Sequence, residues 1–251
     1  MIFGRKKSAQ DTDDDIDTEI VDELDDDEVD ADEDYDDAED DEDYDDDDDD
    51  EVWEEELDEW ALLDRSQDWR EDGPFDYDEV DLSDDDIDRE NLGALIVTPE
   101  VGQRLKLVAS GDPEEITSLV VENGPASGMQ VSVLAAPTTA NFLAEVRQEL
   151  IEASEKGKSI ELVEGPFGTE VRRIVAMEDG KGREVYAPVR DWLIAGPRWV
   201  LKVTLTGKAA LDHHQTGAAA DLEEFVRNII VRRGDVAMVP GSVVPLTPVT
   251  D

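Results

Sequence analysis

Apolar residues in the second half of the chain come in short runs divided by glycine and proline, and the period of the pattern changes along the way. Leu95 to Thr98, Arg104 to Ala109, Ile116 to Val121 and Met129 to Ala136 each read as a strand, separated by turn residues such as Pro99, Gly111, Pro113 and Gly124. A four-stranded meander is the simplest arrangement of these runs. Phe142, Leu143, Val146, Leu150 and Ala153 then repeat every three or four residues, after Thr138 and Thr139 as candidate caps and before Gly157 as a stop. That spacing predicts a helix. Strands return over Ser159 to Val163, Val171 to Met177, Glu184 to Val189 and Arg198 to Thr206, the last with Trp199, Leu201, Val203 and Leu205 on one face. A second helix is predicted with Leu222, Phe225, Val226, Ile229 and Ile230 facing inward, ending at Arg232, Arg233 and Gly234, where cations suit a helix C-terminus. Pro240, Pro245 and Pro248 make the segment after it extended. Strands grouped in runs with helices between and after them predict an α+β fold, a largely antiparallel sheet covered by two helices.

Upstream, the pattern is of another kind. Trp53, Leu57, Trp60 and Leu63 fall at helical spacing among Glu54, Glu55, Glu56 and Glu59, which predicts a short amphipathic helix over residues 52–64. About a dozen residues are marginal as an isolated helix, so the apolar stripe needs a surface to dock on. That surface is either a binding partner or the protein's own domain. Residues 71–91, with Gly73-Pro74-Phe75-Asp76-Tyr77, read as an extended docking segment or a linker.

Charge sharpens the division. The 251 residues carry 70 Asp and Glu against 22 Lys and Arg, a net charge of −48. Residues 1–90 hold 48 acids against 6 bases, net −42, which leaves 22 against 16, net −6, for residues 91–251. A segment so charged and so poor in apolar surface cannot offset the entropy of ordering, so residues 1–70 are expected to be a disordered acidic tail. The α+β domain is expected over residues 92–251. Such a tail is repelled by nucleic acid phosphates and anionic lipid, so its expected partner is a basic protein or its own domain.

The remaining chemistry is sparse. There is no Cys, which excludes disulfides and thiolate metal sites. Arg5, Lys6 and Lys7 are followed by acids rather than an apolar stretch, so no signal peptide is expected, and no run reaches the roughly 20 apolar residues that span a bilayer. A cytoplasmic protein follows. Asp11, Asp13 and Asp15 match the first ligands of a calcium loop, but Ile16 and Asp22 stand where the turn Gly and the bidentate Glu belong. His213 and His214 are adjacent and point apart on an extended chain, which suits neither a shared metal nor a catalytic base. Gly165-Pro166-Phe167-Gly168-Thr169-Glu170 lacks the serine of a nucleophile elbow, and Gly180-Lys181-Gly182-Arg183 lacks the frame of a phosphate loop. No cofactor, metal or small-molecule ligand is implied. Residues 171–233 hold 11 bases against eight acids. Within them Arg172, Arg173, Arg198, Arg232 and Arg233 are the candidate residues for binding an anion or docking the tail. Arg198 is also a candidate partner for Glu170 or Asp191.

Gly73-Pro74-Phe75-Asp76, Leu92-Gly93-Ala94-Leu95, Gln130 with Ala135-Ala136-Pro137, the Gly165 to Glu170 stretch, Gly196-Pro197-Arg198-Trp199 and Val231-Arg232-Arg233-Gly234 occur in this order over about residues 70–250. In that order they resemble an actinobacterial domain-of-unknown-function family. The resemblance implies a cytoplasmic protein with an acidic N-terminal stretch, and it supplies no catalytic residues. The expected function is a non-enzymatic interaction module whose acidic arm binds a basic partner or shields the domain. The alternative is a nucleic-acid-associated domain inhibited by its own tail.

Overall fold

A computed structural model describes residues 58–83, 86–111, 115–138, 141–154, 159–178 and 181–249. The acidic stretch 1–57, with its expected disorder, its partial calcium loop and the residues Trp53 and Leu57, lies outside them. In chain order the elements are α1 (Glu59–Asp64), β1 (Phe75–Asp76), a 3-10 turn (Tyr77–Glu79), β2 (Glu90–Asn91), β3 (Leu95–Val97), β4 (Gln103–Ala109), β5 (Ile116–Asn123) and β6 (Ser127–Ala135). They continue with α2 (Phe142–Glu152), β7 (Ile160–Gly165), β8 (Gly168–Glu178), β9 (Glu184–Gly196), β10 (Trp199–Gly207), α3 (Lys208–Leu211), α4 (Gly217–Arg227) and β11 (Ile230–Val231).

Seven strands form one antiparallel sheet in the order β4-β5-β6-β10-β9-β8-β7. The fold is therefore α+β with a large antiparallel sheet. The alternation in β10 decides its faces: Trp199, Leu201, Val203 and Leu205 are fully buried in the main core with Leu222, Phe225 and Val226 of α4. Val200, one residue out of phase, joins Leu193, Phe142 and Val146 in a smaller cluster beneath α2 on the opposite face. Each large apolar side chain buried in this way contributes about 1.5–3 kcal/mol.

Three expectations need correction. The predicted second helix stops at Arg227, and Ile230 leaves it to pair with Ile96 on one side and Phe75 on the other. Ile229, Ile230 and Val231 are all buried, so a continuous apolar run had the periodicity of a helix end and the burial of a central strand. Leu95 to Val97 likewise leave the meander. They enter a second sheet of very short strands, in the order β1-β11-β3-β2, whose Leu95, Val97 and Val231 join the main core. The cap of α2 also differs: Asn141 takes that position without a side-chain cap bond. The proline-rich C-terminal segment runs extended along the large sheet, with bridges from Leu246 to Ile116 and from Val243 to Leu134.

At the start of the described residues, Asp58 caps α1 by accepting from the Ala61 amide at 2.6 Å. Asp64 then fixes the helix to the domain. Its Oδ1 accepts from the Thr169 amide at 2.8 Å and its Oδ2 pairs with Arg147 of α2, whose side chain is 4% exposed. Gly168 has φ of 95°, and a Cβ there would stand 2.8 Å from Asp64 Oδ1, so only glycine lets the carboxylate approach.

Candidate functional site

The five arginines singled out from the sequence separate into two places. Arg172 and Arg173 are neighbours on β8, so they face opposite sides of the sheet. On the inner side Glu170, fully buried, lies opposite Trp192 and diagonal to Arg190. Arg190 donates to it through Nε at 2.9 Å and through Nη2 at 2.6 Å, Arg172 Nε at 2.7 Å and Trp192 Nε1 at 2.6 Å. Burial pushes the Glu170 carboxyl up, but these donors, Arg190 first, outweigh burial and hold it below the usual carboxylate range. Arg172 and Arg190 face each other across β8 and β9, and Glu170 between them offsets their repulsion. On the other side Asp191, also fully buried, accepts from Arg173 Nε at 2.7 Å and from the Thr204 hydroxyl at 2.5 Å. The remaining Arg190 donors reach the carbonyls of Asp212 at 2.6 Å and Ala209 at 3.3 Å, which ties α3 to the sheet. Arg172 and Arg173 thus serve buried carboxylates. A shallow cleft of 190 Å³ lies over them, with exposed His213 at its rim.

Arg198, Arg232 and Arg233 come together elsewhere, in a polar cleft of 460 Å³ completed by Asp76, Tyr77, Asp78 and Asp235. Gly196-Pro197-Arg198-Trp199 forms a two-residue hairpin between β9 and β10, with Gly196 opposite Trp199. Proline cannot take a positive φ, so the turn has its left-handed residue second, and Arg198 occupies it at φ of 59°. Its guanidinium donates to the Gly234 carbonyl and lies 3.8 Å from Asp235, so it holds neither Glu170 nor Asp191. Arg232 follows β11, its amide donating to the Ala94 carbonyl at 2.9 Å. Its guanidinium lies over the Tyr77 ring, 3.8 Å from the centroid. Arg233 donates from Nη1 to the Val236 carbonyl at 3.0 Å. Nε of Arg232 and Nε of Arg233 are both buried without an acceptor. Neither arginine sits at a helix end.

Trp199 links this cleft to the core. Its ring fills the space over Gly196, where a Cβ would stand 2.1 Å from Cζ2, and its Nε1 donates to Asp76 Oδ2 at 2.7 Å. Asp76 Oδ1 accepts from the Asp78 amide at 3.0 Å, and Glu79 accepts from the Asp76 amide at 2.7 Å, a capping box on the 3-10 turn. Arg70 grips Glu79 with two bonds of 3.0 and 3.1 Å and lies 5.4 Å from the Trp199 ring, which completes a circuit of four residues. The family described as "Protein of unknown function (DUF3710)" matches residues 73–251, well over half the chain and every element from β1 onward.

The chain belongs to this family.

The DUF3710 region contains both arginine sites, while α1 precedes it. No curated protein matches the chain. Among solved structures, a crystal structure of a protein from Bacteroides thetaiotaomicron VPI-5482 is similar with a TM-score of 0.36 and 13% identity, over 58% of this chain and 48% of that one. The chain therefore spans about half the length of that structure. The motifs that carry the DUF3710 resemblance are scattered in sequence but converge in space. Those ending at Asp76, Leu95, Trp199 and Gly234 all border the small sheet or the cleft, and the Ala136 amide donates to the Arg198 carbonyl at 2.9 Å.

Of the predicted partner-binding helix, Trp60 and Leu63 are partly buried in α1 and Leu62 is 56% exposed. His213 and His214 are exposed in the turn after α3, with the His214 amide held by Asp212. Among the described residues no group of three or more His, Asp and Glu is placed to hold a metal, and no helix is long and apolar enough to cross a membrane. Sequence reasoning did not foresee that Tyr77, Asp78 and Asp235 would share a cleft with the arginines. The buried ion network did carry a signal: Arg190 and Asp191 interrupt an otherwise apolar run from Val189 to Ile194, and charges inside a central strand require partners.

Proposed function

We propose that the protein is a non-enzymatic, cytoplasmic interaction module whose polyanionic N-terminal arm engages a basic protein partner. The observation that carries this reading is the internal pairing of the domain's arginines. Arg172, Arg173 and Arg190 face carboxylates of the same domain, Glu170 and Asp191, and Arg147 faces Asp64 of α1. Of the five cations expected to answer the arm, Arg172 and Arg173 are neutralised at home, and residues 91–251 still carry net −6. An arm with 37 acids in residues 1–70 is left to attract cations from outside, by a field that acts over about 10 Å at ordinary ionic strength.

The test is fluorescence anisotropy with a labelled lysine-rich peptide, on the full chain and on residues 58–251. The shorter form keeps α1 and its Asp64 contacts. Binding by the full chain that disappears in the shorter form supports the reading, and equal binding by both contradicts it. Duplex DNA bound only by the shorter form would replace it with the alternative of a nucleic-acid-associated domain inhibited by its tail.

A further inference from the structure

We propose that the cleft between Arg198, Arg232 and Arg233 binds a small phosphorylated ligand bearing hydroxyl groups, an inference independent of the arm's partner. Elsewhere in the domain guanidinium groups are matched to carboxylates: Arg70 to Glu79, Arg147 to Asp64, Arg173 to Asp191, Arg227 to Glu223. Arg232 and Arg233 depart from this habit. Among the described residues neither pairs with a carboxylate, and both line the cleft, where an oxyanion would meet their guanidinium groups. Arg232 is also pre-oriented, because the Tyr77 ring beneath it fixes the guanidinium plane. Arg198 is set at the rim by a left-handed backbone and by the Gly234 carbonyl.

The number and direction of donors select the anion. A carboxylate saturates one guanidinium fork, whereas a phosphate ester presents three outer oxygens and can accept from two or three arginines at once. The acids select the rest of the ligand. Asp76 is already occupied, with one oxygen on Trp199 and the other on the Asp78 amide. Asp78 and Asp235 are exposed and offer only acceptors, so they repel a bare anion and favour a ligand that brings donors of its own. Hydroxyl groups next to a phosphate meet that requirement, and 460 Å³ lies within the range of small-molecule sites.

Isothermal titration of the full chain with inorganic phosphate, ribose 5-phosphate and ribose tests this. Ribose 5-phosphate should bind more tightly than inorganic phosphate, and ribose should give no heat. Arg232→Gln should weaken ribose 5-phosphate by about tenfold or more. Arg198→Gln, at a side chain 46% exposed, should weaken it too, so the test survives if Arg232→Gln impairs folding. Asp78→Asn should reduce the preference for the sugar phosphate over inorganic phosphate. Absence of binding by both phosphate probes overturns the proposal, as does unchanged affinity in Arg198→Gln, or a sugar phosphate that binds no better than phosphate itself.

Discussion

The indole of Trp199 donates to the carboxylate of Asp76 at 2.7 Å, joining residues 123 positions apart in the chain. Trp199 is fully buried and Asp76 is 8% exposed, so neither group has water as a substitute partner. The bond connects the hairpin that carries Arg198 to the segment that carries Tyr77, and both border the arginine cleft.

Asp76→Ala removes that acceptor and the cap of the 3-10 turn together. Leaving the indole N–H buried without a partner costs about 1–3 kcal/mol. Urea unfolding should show a lower midpoint with an unchanged slope, and Trp199→Phe should cost a comparable amount by leaving the carboxylate short of a donor.

Gly196→Ala tests the other side of the same ring. A Cβ 2.1 Å from Trp199 Cζ2 forces the indole or the hairpin to move, and overpacking of this kind costs about 1–3 kcal/mol. The tryptophan emission maximum should shift along with the loss of stability. An unchanged spectrum and midpoint would mean that the hairpin yields without cost.

How far the sequence spoke differs from element to element. The alternation of Trp199, Leu201, Val203 and Leu205 announced β10 and its faces, because a period of two has one structural meaning when one side is core. Ile229 to Val231 misled, because apolar residues in succession are compatible with a helix end and with a doubly covered strand. The arginines were visible as a charge excess, yet their division was not. Arg172 and Arg173 were assigned partners by register across β8 and β9, whereas Arg198 comes from a hairpin of the large sheet and Arg232 and Arg233 from the end of a strand in the small one.

Glu170 makes the stability depend on pH. Its carboxyl is held below its ordinary value of 4.5 in the folded protein, so the unfolded chain binds a proton more readily. Its contribution is fully present above that value and is lost as pH falls through the lower, folded one. Thermal midpoints should be level with respect to this group from about pH 6 to 8 and should decline below about pH 4.5. Glu170→Gln should flatten part of that decline while lowering the midpoint at neutral pH, because Arg190 is left buried without its counter-charge. Removing one member of a buried pair costs about 3–5 kcal/mol.

Truncation gives a further check, on α1. A chain beginning at residue 58 keeps Asp64 against Arg147, whereas one beginning at residue 71 leaves the Arg147 guanidinium without its principal carboxylate. The shorter chain should melt lower than the longer, because it loses the Asp64 contacts to Arg147 and to the Thr169 amide. Asp64→Asn in the full chain should reproduce most of the difference, and equal melting temperatures would show that α1 is dispensable.

The most direct measurement of the central claim is the salt dependence of the full chain's affinity for a lysine-rich peptide, followed from about 0.05 to 0.5 M salt. An arm that works by its charge predicts a steep, continuous weakening across that range. Affinity that stays constant, or binding that is absent even at the lowest salt, would contradict the assignment of the arm as the partner-binding element.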